Sequence, residues 1–121
     1  MLILFLDDDP ERHALVSDLE VEILGQGPRP RGHALDHAWS AEEAAGMLLS
    51  RRYDVAFLDV DFIVDLPPPA RPRKIFVHSL NNGSAPGRMV AALDGHVREA
   101  YLAPFASVIM VDELCRCIHG S

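Results

Sequence analysis

The sequence lacks the features of proteins that bind long nucleic acids, of membrane or secreted proteins, and of proteins held together by disulfides or zinc. Eleven basic residues against eighteen acidic ones give a net charge of −7, which argues against extended DNA binding and against anionic membrane surfaces. No apolar run approaches the roughly 18 residues that span a bilayer, and Leu2–Leu6 is too short for a secretory signal. The two cysteines, Cys115 and Cys117, have a spacing that suits neither a disulfide nor a zinc site. We therefore expect a cytoplasmic protein with reduced thiols and no membrane segment.

Short apolar stretches alternate with helix-like stretches along the chain, a pattern typical of parallel α/β domains. The 121 residues, 49% of them hydrophobic, are enough for one core, so we expect a single domain over residues 1–121. Strands are predicted at Leu2–Leu6, His33–Trp39, Val55–Leu58, Ile75–Val77 and Val97–Leu102. The pattern predicts a doubly wound fold with a five-stranded parallel sheet of order 2-1-3-4-5 and helices on both faces.

Four helices are predicted, three between these strands and one after the last strand. Asp9 is a good N-cap and Pro10 fits the first position of a helix that runs to about Leu24. Its predicted buried stripe consists of Leu15, Leu19 and Ile23, which recur every four residues. The remaining helices are predicted from a capping box at Ser40 and Glu43 through Arg52, from Ser84 to about Leu93, and over Phe105–Ile118, and the proline-rich stretch Asp65–Arg73 is a predicted loop.

Polar residues gather where the predicted strands end. They are Asp7, Asp8 and Asp9 after strand one, Asp59 and Asp61 after strand three, and His78, Ser79 and Asn81 after strand four. Because binding sites of doubly wound sheets lie at the carboxyl ends of the strands, we expect these groups to converge. Carboxylates in one cleft repel unless a cation neutralises them, and oxygen ligands suit Mg²⁺ or Mn²⁺. Ser79, Asn81 and the next helix N-terminus would then bind a phosphate.

Simpler interpretations exist for each of these groups. The aspartate triplet is also what an N-cap with favourable neighbours looks like, and Asp59 with Asp61 could be a solvated strand end. His33 and His37 are expected to be exposed loop and edge histidines, and Trp39 to serve core or edge packing. His78 is either part of the site or a structural imidazole bonded to the backbone.

Several stretches resemble the receiver domain of two-component response regulators, over nearly the whole chain. LDDDPERHALV looks like the acidic pocket after the first receiver strand, and AWSAEEAAGMLLSRRYDVAFLDVDF is similar to the next helix and strand, with Asp59 at the phospho-acceptor position. Ser79 falls where receivers carry Ser or Thr, and AYLAPFASVIMVDEL looks like the receiver ending, which implies a cis bond between Ala103 and Pro104. Ala103 replaces the lysine that binds the acyl phosphate in receivers. We therefore expect no basic residue near the aspartates.

A second resemblance explains the absence of that lysine better. LFLDDDPERH, FLDVDF and VHSLNNGSAPGRMVAAL together look like the cyclic-phosphate processing receiver-like domain. The resemblance implies processing of phosphate groups, including cyclic phosphate ends of RNA. The matching positions are Asp7, Asp8, Asp59, Asp61, His78, Ser79 and Asn81. Val60 stands where that family commonly has a histidine.

Three functions are compatible with the sequence. The first is a metal-dependent phosphoesterase in which Asp7, Asp8, Asp59 and Asp61 hold the ion, His78 transfers protons and Asp59 takes part in catalysis. The second is a signalling receiver phosphorylated on Asp59, with a protein partner at the last helix. The third is a non-catalytic interaction module. For the enzyme, the acidic charge favours a small or terminal phosphate, including an RNA end, as substrate.

Overall fold

The computed structural model describes residues 1–26, 32–59, 74–78, 99–102 and 108–119. Within these ranges the helices and strands follow one another in the order that the apolar pattern predicts. The elements are β1 (Leu2–Leu6), α1 (Pro10–Leu24), β2 (Ala34–Ala38), α2 (Ala41–Ser50), β3 (Val55–Asp59), β4 (Lys74–His78), β5 (Glu99–Leu102) and α3 (Val108–His119).

The strands form a parallel sheet in the order β2-β1-β3-β4-β5. β1 lies between β2 and β3, with Leu6 opposite Ala38 on one side and Leu58 on the other. On the far side of β3, Asp59 is in register with His78. The carboxyl ends of all the strands therefore lie along one edge of the sheet. Asp7, Asp8 and Asp59 stand at this edge, at the ends of β1 and β3.

Two apolar layers cover the sheet, one on each face. Leu4 and Leu6 of β1 pack towards α2, whereas Ile3 and Phe5 pack towards α1 and α3, as expected when successive side chains of a strand alternate. All four side chains are fully buried. At the end of α3, His119 Nε2 donates to the carbonyl oxygen of Ile23 in α1, at 3.0 Å. The predicted α/β fold class, with helices on both faces, is confirmed.

The N-terminal signals of two helices are confirmed by their hydrogen bonds. Asp9 Oδ1 accepts from the Glu11 N–H at 2.9 Å, and Pro10 occupies the first turn of α1. Ser40 Oγ accepts from the Glu43 N–H at 3.1 Å at the start of α2. The predicted end of α1 at Leu24 is confirmed, whereas α2 ends at Ser50 instead of Arg52.

The buried face of α1 differs from the prediction. Leu15 is 50% exposed, and Leu19 is partly buried, while Arg12, His13, Val16 and Ile23 are the buried residues of the helix. The prediction is confirmed for Ile23 and wrong for Leu15, because it assumed that only apolar residues face the sheet. Here two polar residues of the first turn point inward, and this rotates the buried stripe away from Leu15.

Other sequence predictions lie outside the described residues: the loop Asp65–Arg73, the helix from Ser84 to Leu93 and the cis bond between Ala103 and Pro104. In the part of the chain that the structure describes, no helix has the length and apolarity needed to cross a membrane. Neither Cys115 nor Cys117 in α3 is part of a disulfide; the first is half-buried and the second is buried.

Candidate functional site

The residues after β1 fix a buried carboxylate at the edge of the sheet. Asp7 is fully buried, and its backbone N–H continues the sheet by donating to the Ala38 carbonyl at 3.2 Å. Its side-chain Oδ1 accepts from the Asp9 N–H at 2.9 Å, so the tight turn into α1 holds the carboxylate in place. A buried carboxylate is stable only with such donors or an opposite charge, and Asp7 has both.

The opposite charge comes from Arg12 in the first turn of α1. Its Nη1 lies 2.8 Å from Asp7 Oδ2 and 3.2 Å from Asp59 Oδ2, and its side chain is only 10% exposed. Burial lowers the pKa of Arg12, but the hydrogen bond to Asp7 and the nearby carboxylates outweigh this and raise the pKa. The expectation that no basic residue lies near the aspartates was therefore wrong.

Arg12 is the main residue of this site that the sequence analysis missed. One signal was available: a cation in the first turn of a helix faces the positive end of the helix dipole, which is unfavourable without a carboxylate partner. The second carboxylate partner of Arg12 could not be inferred locally, because Asp59 lies 47 residues further along the chain.

Asp7, Asp8 and Asp59 form a group of three carboxylates, called the acidic group below. One oxygen from each lies within 4.8 Å of the others, with Asp8 exposed and the other two buried. Oxygens on opposite sides of a Mg²⁺ ion are about 4.2 Å apart, so small side-chain movements would let the group bind one. Together with Arg12 the acidic group has two formal negative charges in excess, which a divalent cation would neutralise. Its donor set therefore fits a hard divalent cation such as Mg²⁺.

The structure places the remaining predicted site residues only in part. His78 ends β4 in register with Asp59, so their backbones are neighbours across the sheet. Asp61, Ser79 and Asn81 lie outside the described residues. The structure thus brings three of the four predicted metal ligands together, and the roles predicted for His78, Ser79 and Asn81 stay predictions.

A cluster of aromatic and histidine side chains adjoins the acidic group. With neutral rings, His13 donates from Nε2 to the Asp7 carbonyl at 2.8 Å, because that oxygen can only accept. Its Nδ1 then accepts from His37 Nδ1–H at 2.7 Å. Burial, and next the proximity of His13, lower the pKa of His37. Trp39 stacks on His13 with ring centroids 3.7 Å apart.

The expectation of exposed histidines on and beside β2 was wrong. His37 is half-buried through its bond to His13, and His33 pairs with Glu20 of α1 at 2.8 Å. Both histidines find partners on α1, which packs beside their strand. The spacing of His33 and His37 in the sequence contains no information about these partners.

A second carboxylate–guanidinium contact lies on β2, which has no strand partner beyond it among the described residues. Arg51 Nη1 is 3.0 Å from Asp36 Oδ2, and the hydroxyl of the buried Tyr53 donates to the same oxygen in a short hydrogen bond. Burial, the hydrogen bond to Asp36 and its charge raise the pKa of Tyr53 to about 12, against a smaller lowering by Arg51. We call Asp36, Arg51 and Tyr53 the edge cluster.

Comparison with solved structures places this architecture among receiver domains. The chain is 20% identical to the response regulator TrrA of Thermotoga maritima, solved in complex with Mg²⁺-BeF, over 96% of this chain and 97% of that one, with a TM-score of 0.63. It is 15% identical to the receiver domain of the histidine kinase PA1611 of Pseudomonas aeruginosa, which has a magnesium ion in its active-site cleft, over 99% and 98% of the chains, TM-score 0.60. These likenesses establish the receiver fold.

A third similar structure is the receiver domain of a histidine kinase from Syntrophus aciditrophicus, 19% identical over 98% of this chain and 90% of that one, with a TM-score of 0.60. Neither the family models nor the curated proteins compared with the chain gave a match.

Proposed function

We propose that the acidic group is a phosphoryl site that depends on a divalent cation, and that Asp59 is its acceptor carboxylate. The observation that supports this most is the convergence of Asp7, Asp8 and Asp59 within 4.8 Å at the carboxyl ends of β1 and β3. The Mg²⁺ reported for two solved receiver domains of the same fold supports the choice of ion. Mn²⁺ is an alternative with the same ligand preference.

In the proposed reaction an oxygen of Asp59 attacks the phosphorus of a small acyl phosphate. The new bond joins the Asp59 oxygen to phosphorus, and the bond from phosphorus to the donor oxygen breaks, so that the carboxylate of the donor leaves. Asp7 and Asp8 would hold the divalent ion, which offsets the charge on the phosphoryl oxygens. Asp8 is the exposed member of the acidic group and marks its access to solvent.

Arg12 has to rearrange in this reaction. Its Nη1 contacts the Asp59 carboxylate at 3.2 Å, so it lies where an incoming cation or phosphoryl group would add charge. A guanidinium can bond several oxygens in one plane, and it can therefore turn from the carboxylate towards a phosphoryl oxygen while it keeps Asp7. Arg12 would then supply the positive charge that the residue at position 103, an alanine, does not.

A second candidate is the metal-dependent processing of cyclic or terminal phosphates, such as an RNA end. Its support is the register of β3 and β4, which sets the backbone of His78 beside that of Asp59. In this reaction His78 transfers a proton to or from the attacking water or the leaving oxygen. Asp61 would complete the metal ligands, and Ser79 and Asn81 would position the phosphate.

The test of the first candidate is phosphorylation of the purified protein by acetyl phosphate with Mg²⁺, followed by intact mass spectrometry. We expect an added phosphoryl group that hydroxylamine removes, and no adduct in EDTA or in Asp59→Asn. Asp112→Asn, an exposed aspartate on α3, is the matched control and should be labelled like the natural chain. A natural chain that stays unmodified would refute the acceptor role of Asp59.

The test of the second candidate is turnover of 2′,3′-cyclic adenosine monophosphate with Mg²⁺ or Mn²⁺. We expect hydrolysis that EDTA stops and that His78→Ala abolishes, while the variant still responds to metal. If His78→Ala hydrolyses the substrate normally, His78 is a structural residue. If acetyl phosphate does not label the chain and the chain does not hydrolyse the cyclic nucleotide, the protein is a non-catalytic interaction module.

A further inference from the structure

Trp39 is the single tryptophan of the chain, and its position is unusual for a packing residue. It directly follows β2, and 44% of its surface is exposed. Its indole lies nearly parallel to the His13 ring, at an interplanar angle of 20° and a centroid distance of 3.7 Å. The sequence favoured core or edge packing for this residue. The structure contradicts the core alternative, because the ring is half-exposed and stacks on a buried one beside the edge strand.

The His13 ring, on which Trp39 stacks, is fixed by hydrogen bonds at both nitrogens and by a ring contact. His13 bonds to the Asp7 carbonyl through Nε2 and to His37 through Nδ1, at 2.8 and 2.7 Å. The Phe5 ring packs edge-to-face with the His13 ring, with centroids 5.0 Å apart and an interplanar angle of 87°. The indole therefore rests on a ring whose position is fixed, and stacking on Trp39 would order little further structure.

The aromatic stack and the acidic group meet at Asp7. The Asp7 backbone N–H donates to Ala38, the residue before Trp39, and its carbonyl accepts from His13. Its carboxylate belongs to the acidic group. One residue thus connects a carboxylate group that fits a divalent cation with a half-exposed aromatic surface.

We propose that Trp39 is the stacking platform for the base of a nucleoside phosphate whose phosphate is bound at the acidic group through a divalent cation. Nucleobases stack on aromatic side chains without regard to sequence, and the phosphate of a nucleotide binds Mg²⁺. The net charge of −7 favours a mononucleotide or a single terminal nucleotide over a long strand. The proposal rests on the phosphoryl site proposed above and adds a class of phosphate ligand that binds at this site.

Three other exposed apolar side chains among the described residues do not share this arrangement. Leu49 on α2 and Val108 and Ile109 on α3 are more exposed than Trp39, at 71%, 76% and 59%. Their helices meet the sheet through their buried faces, and none of the three stacks on a ring beside the acidic group. Leu49 therefore serves as a control for a general hydrophobic effect.

The single tryptophan makes the test direct, because its fluorescence reports on Trp39 alone. Adenosine monophosphate, ribose 5-phosphate and adenosine are titrated in turn, with Mg²⁺ and with EDTA, and affinities are measured independently by calorimetry. We expect adenosine monophosphate with Mg²⁺ to quench the fluorescence saturably and to bind more tightly than either of the other compounds. EDTA should weaken its binding.

Variants separate stacking from the phosphate contacts. Trp39→Phe should keep the affinity for adenosine monophosphate within a few fold, and Trp39→Ala should lose about 10- to 100-fold. Leu49→Ala should bind like the natural chain. Equal affinities of the natural chain and Trp39→Ala, or equal affinities for adenosine monophosphate and ribose 5-phosphate, would overturn the proposal. Circular dichroism spectra establish that each variant is folded.

The two proposals fail in different ways. Acetyl phosphate contains no base, so labelling of Asp59 without quenching by adenosine monophosphate refutes the platform and leaves the phosphoryl site standing. Quenching that is identical with Mg²⁺, with EDTA and in Asp59→Asn would show base stacking without a metal-phosphate contact, and it would refute the coupling of platform and acidic group.

Discussion

Two Asp–Arg contacts in this molecule have similar distances and different consequences. Arg12 lies 2.8 Å from Asp7, and Arg51 lies 3.0 Å from Asp36. The Arg12 side chain is 10% exposed and Asp7 is fully buried, whereas Arg51 is 54% exposed and Asp36 26%. Because water screens the second pair and hardly reaches the first, equal distances do not mean equal contributions to stability.

The two regions also differ in charge balance. In the edge cluster one carboxylate meets one guanidinium, and the neutral Tyr53 donates to the same oxygen, so no charge is left over. Around Arg12 the carboxylates of Asp7, Asp8 and Asp59 exceed the cation. A balanced pair suits a structural role, and an unbalanced one leaves an affinity for a further cation. The predictions below test this difference.

The largest effect is expected for Arg12→Ala without divalent ions. The substitution leaves the buried Asp7 and Asp59 carboxylates together without their cation, which should cost about 3–5 kcal/mol of unfolding free energy. Arg51→Ala, the matched control at the edge cluster, should cost no more than about 1 kcal/mol. Urea unfolding in EDTA measures both. Similar losses in the two variants would show that burial does not distinguish the clusters. If Arg12→Ala does not fold, Arg12→Lys should show an intermediate loss.

The next effect concerns Mg²⁺, which should stabilise the natural chain because it binds the folded acidic group. At a concentration one hundred times Kd the gain is about 2.7 kcal/mol. Asp59→Asn and Asp8→Asn should gain much less, since each loses a ligand, and Asp112→Asn should gain as much as the natural chain. Arg12→Ala should gain more, because the ion replaces the missing cation. Melting temperatures with Mg²⁺ and with EDTA test this.

One result of that experiment would change the role of Arg12. If Mg²⁺ stabilises Arg12→Ala less than the natural chain, Arg12 shapes the acidic group for the ion and does not compete with it. If the natural chain shows no response to Mg²⁺ or Mn²⁺, the cation drops out of the proposed function.

What the sequence predicted well depends on short-range physical effects. The apolar run Leu2–Leu6 predicts a buried strand, and Asp9 with Pro10 predicts a helix start, because each signal acts within a few residues. The convergence of Asp7 and Asp59 was predictable too, since parallel strands bring their carboxyl ends to one edge of the sheet. These predictions needed the order of elements but no detail of packing.

What the sequence did not predict involves polar residues that become buried through distant partners. Arg12 finds Asp59, and His13 finds His37 and Trp39, only once α1 lies on the sheet. A prediction based on apolar residues assigns polar positions such as Arg12 and His13 to the solvent side of the helix. The buried face was therefore drawn through Leu15, which is in fact exposed. A first-turn arginine between aspartates was the one local sign of the true arrangement.

The smallest effect is expected at the edge cluster at high pH. The pKa of Tyr53 is raised from 10.0 to about 12 in the folded protein, so between these values the unfolded chain loses its phenol proton first. The stabilising contribution of Tyr53 is therefore complete below pH 10, and it is lost as the pH rises towards 12. The loss should stay below the limit of about 1.4 kcal/mol per pH unit, since Arg51 beside the phenol is largely exposed to water.

Tyr53→Phe removes this titration and leaves the other ionisable groups in place. The unfolding free energy of the natural chain should fall more steeply between pH 10 and 12 than that of the variant, and the two curves should run parallel below pH 9. Arg12 beside the acidic group should add no comparable difference between pH 10 and 12, because its raised pKa keeps the guanidinium charged. Urea unfolding at half-unit steps of pH measures the difference, in which groups common to both proteins cancel. Coincident slopes above pH 10 would show that the Tyr53 hydroxyl is not held by Asp36 in solution, and that the edge cluster is only a surface ion pair.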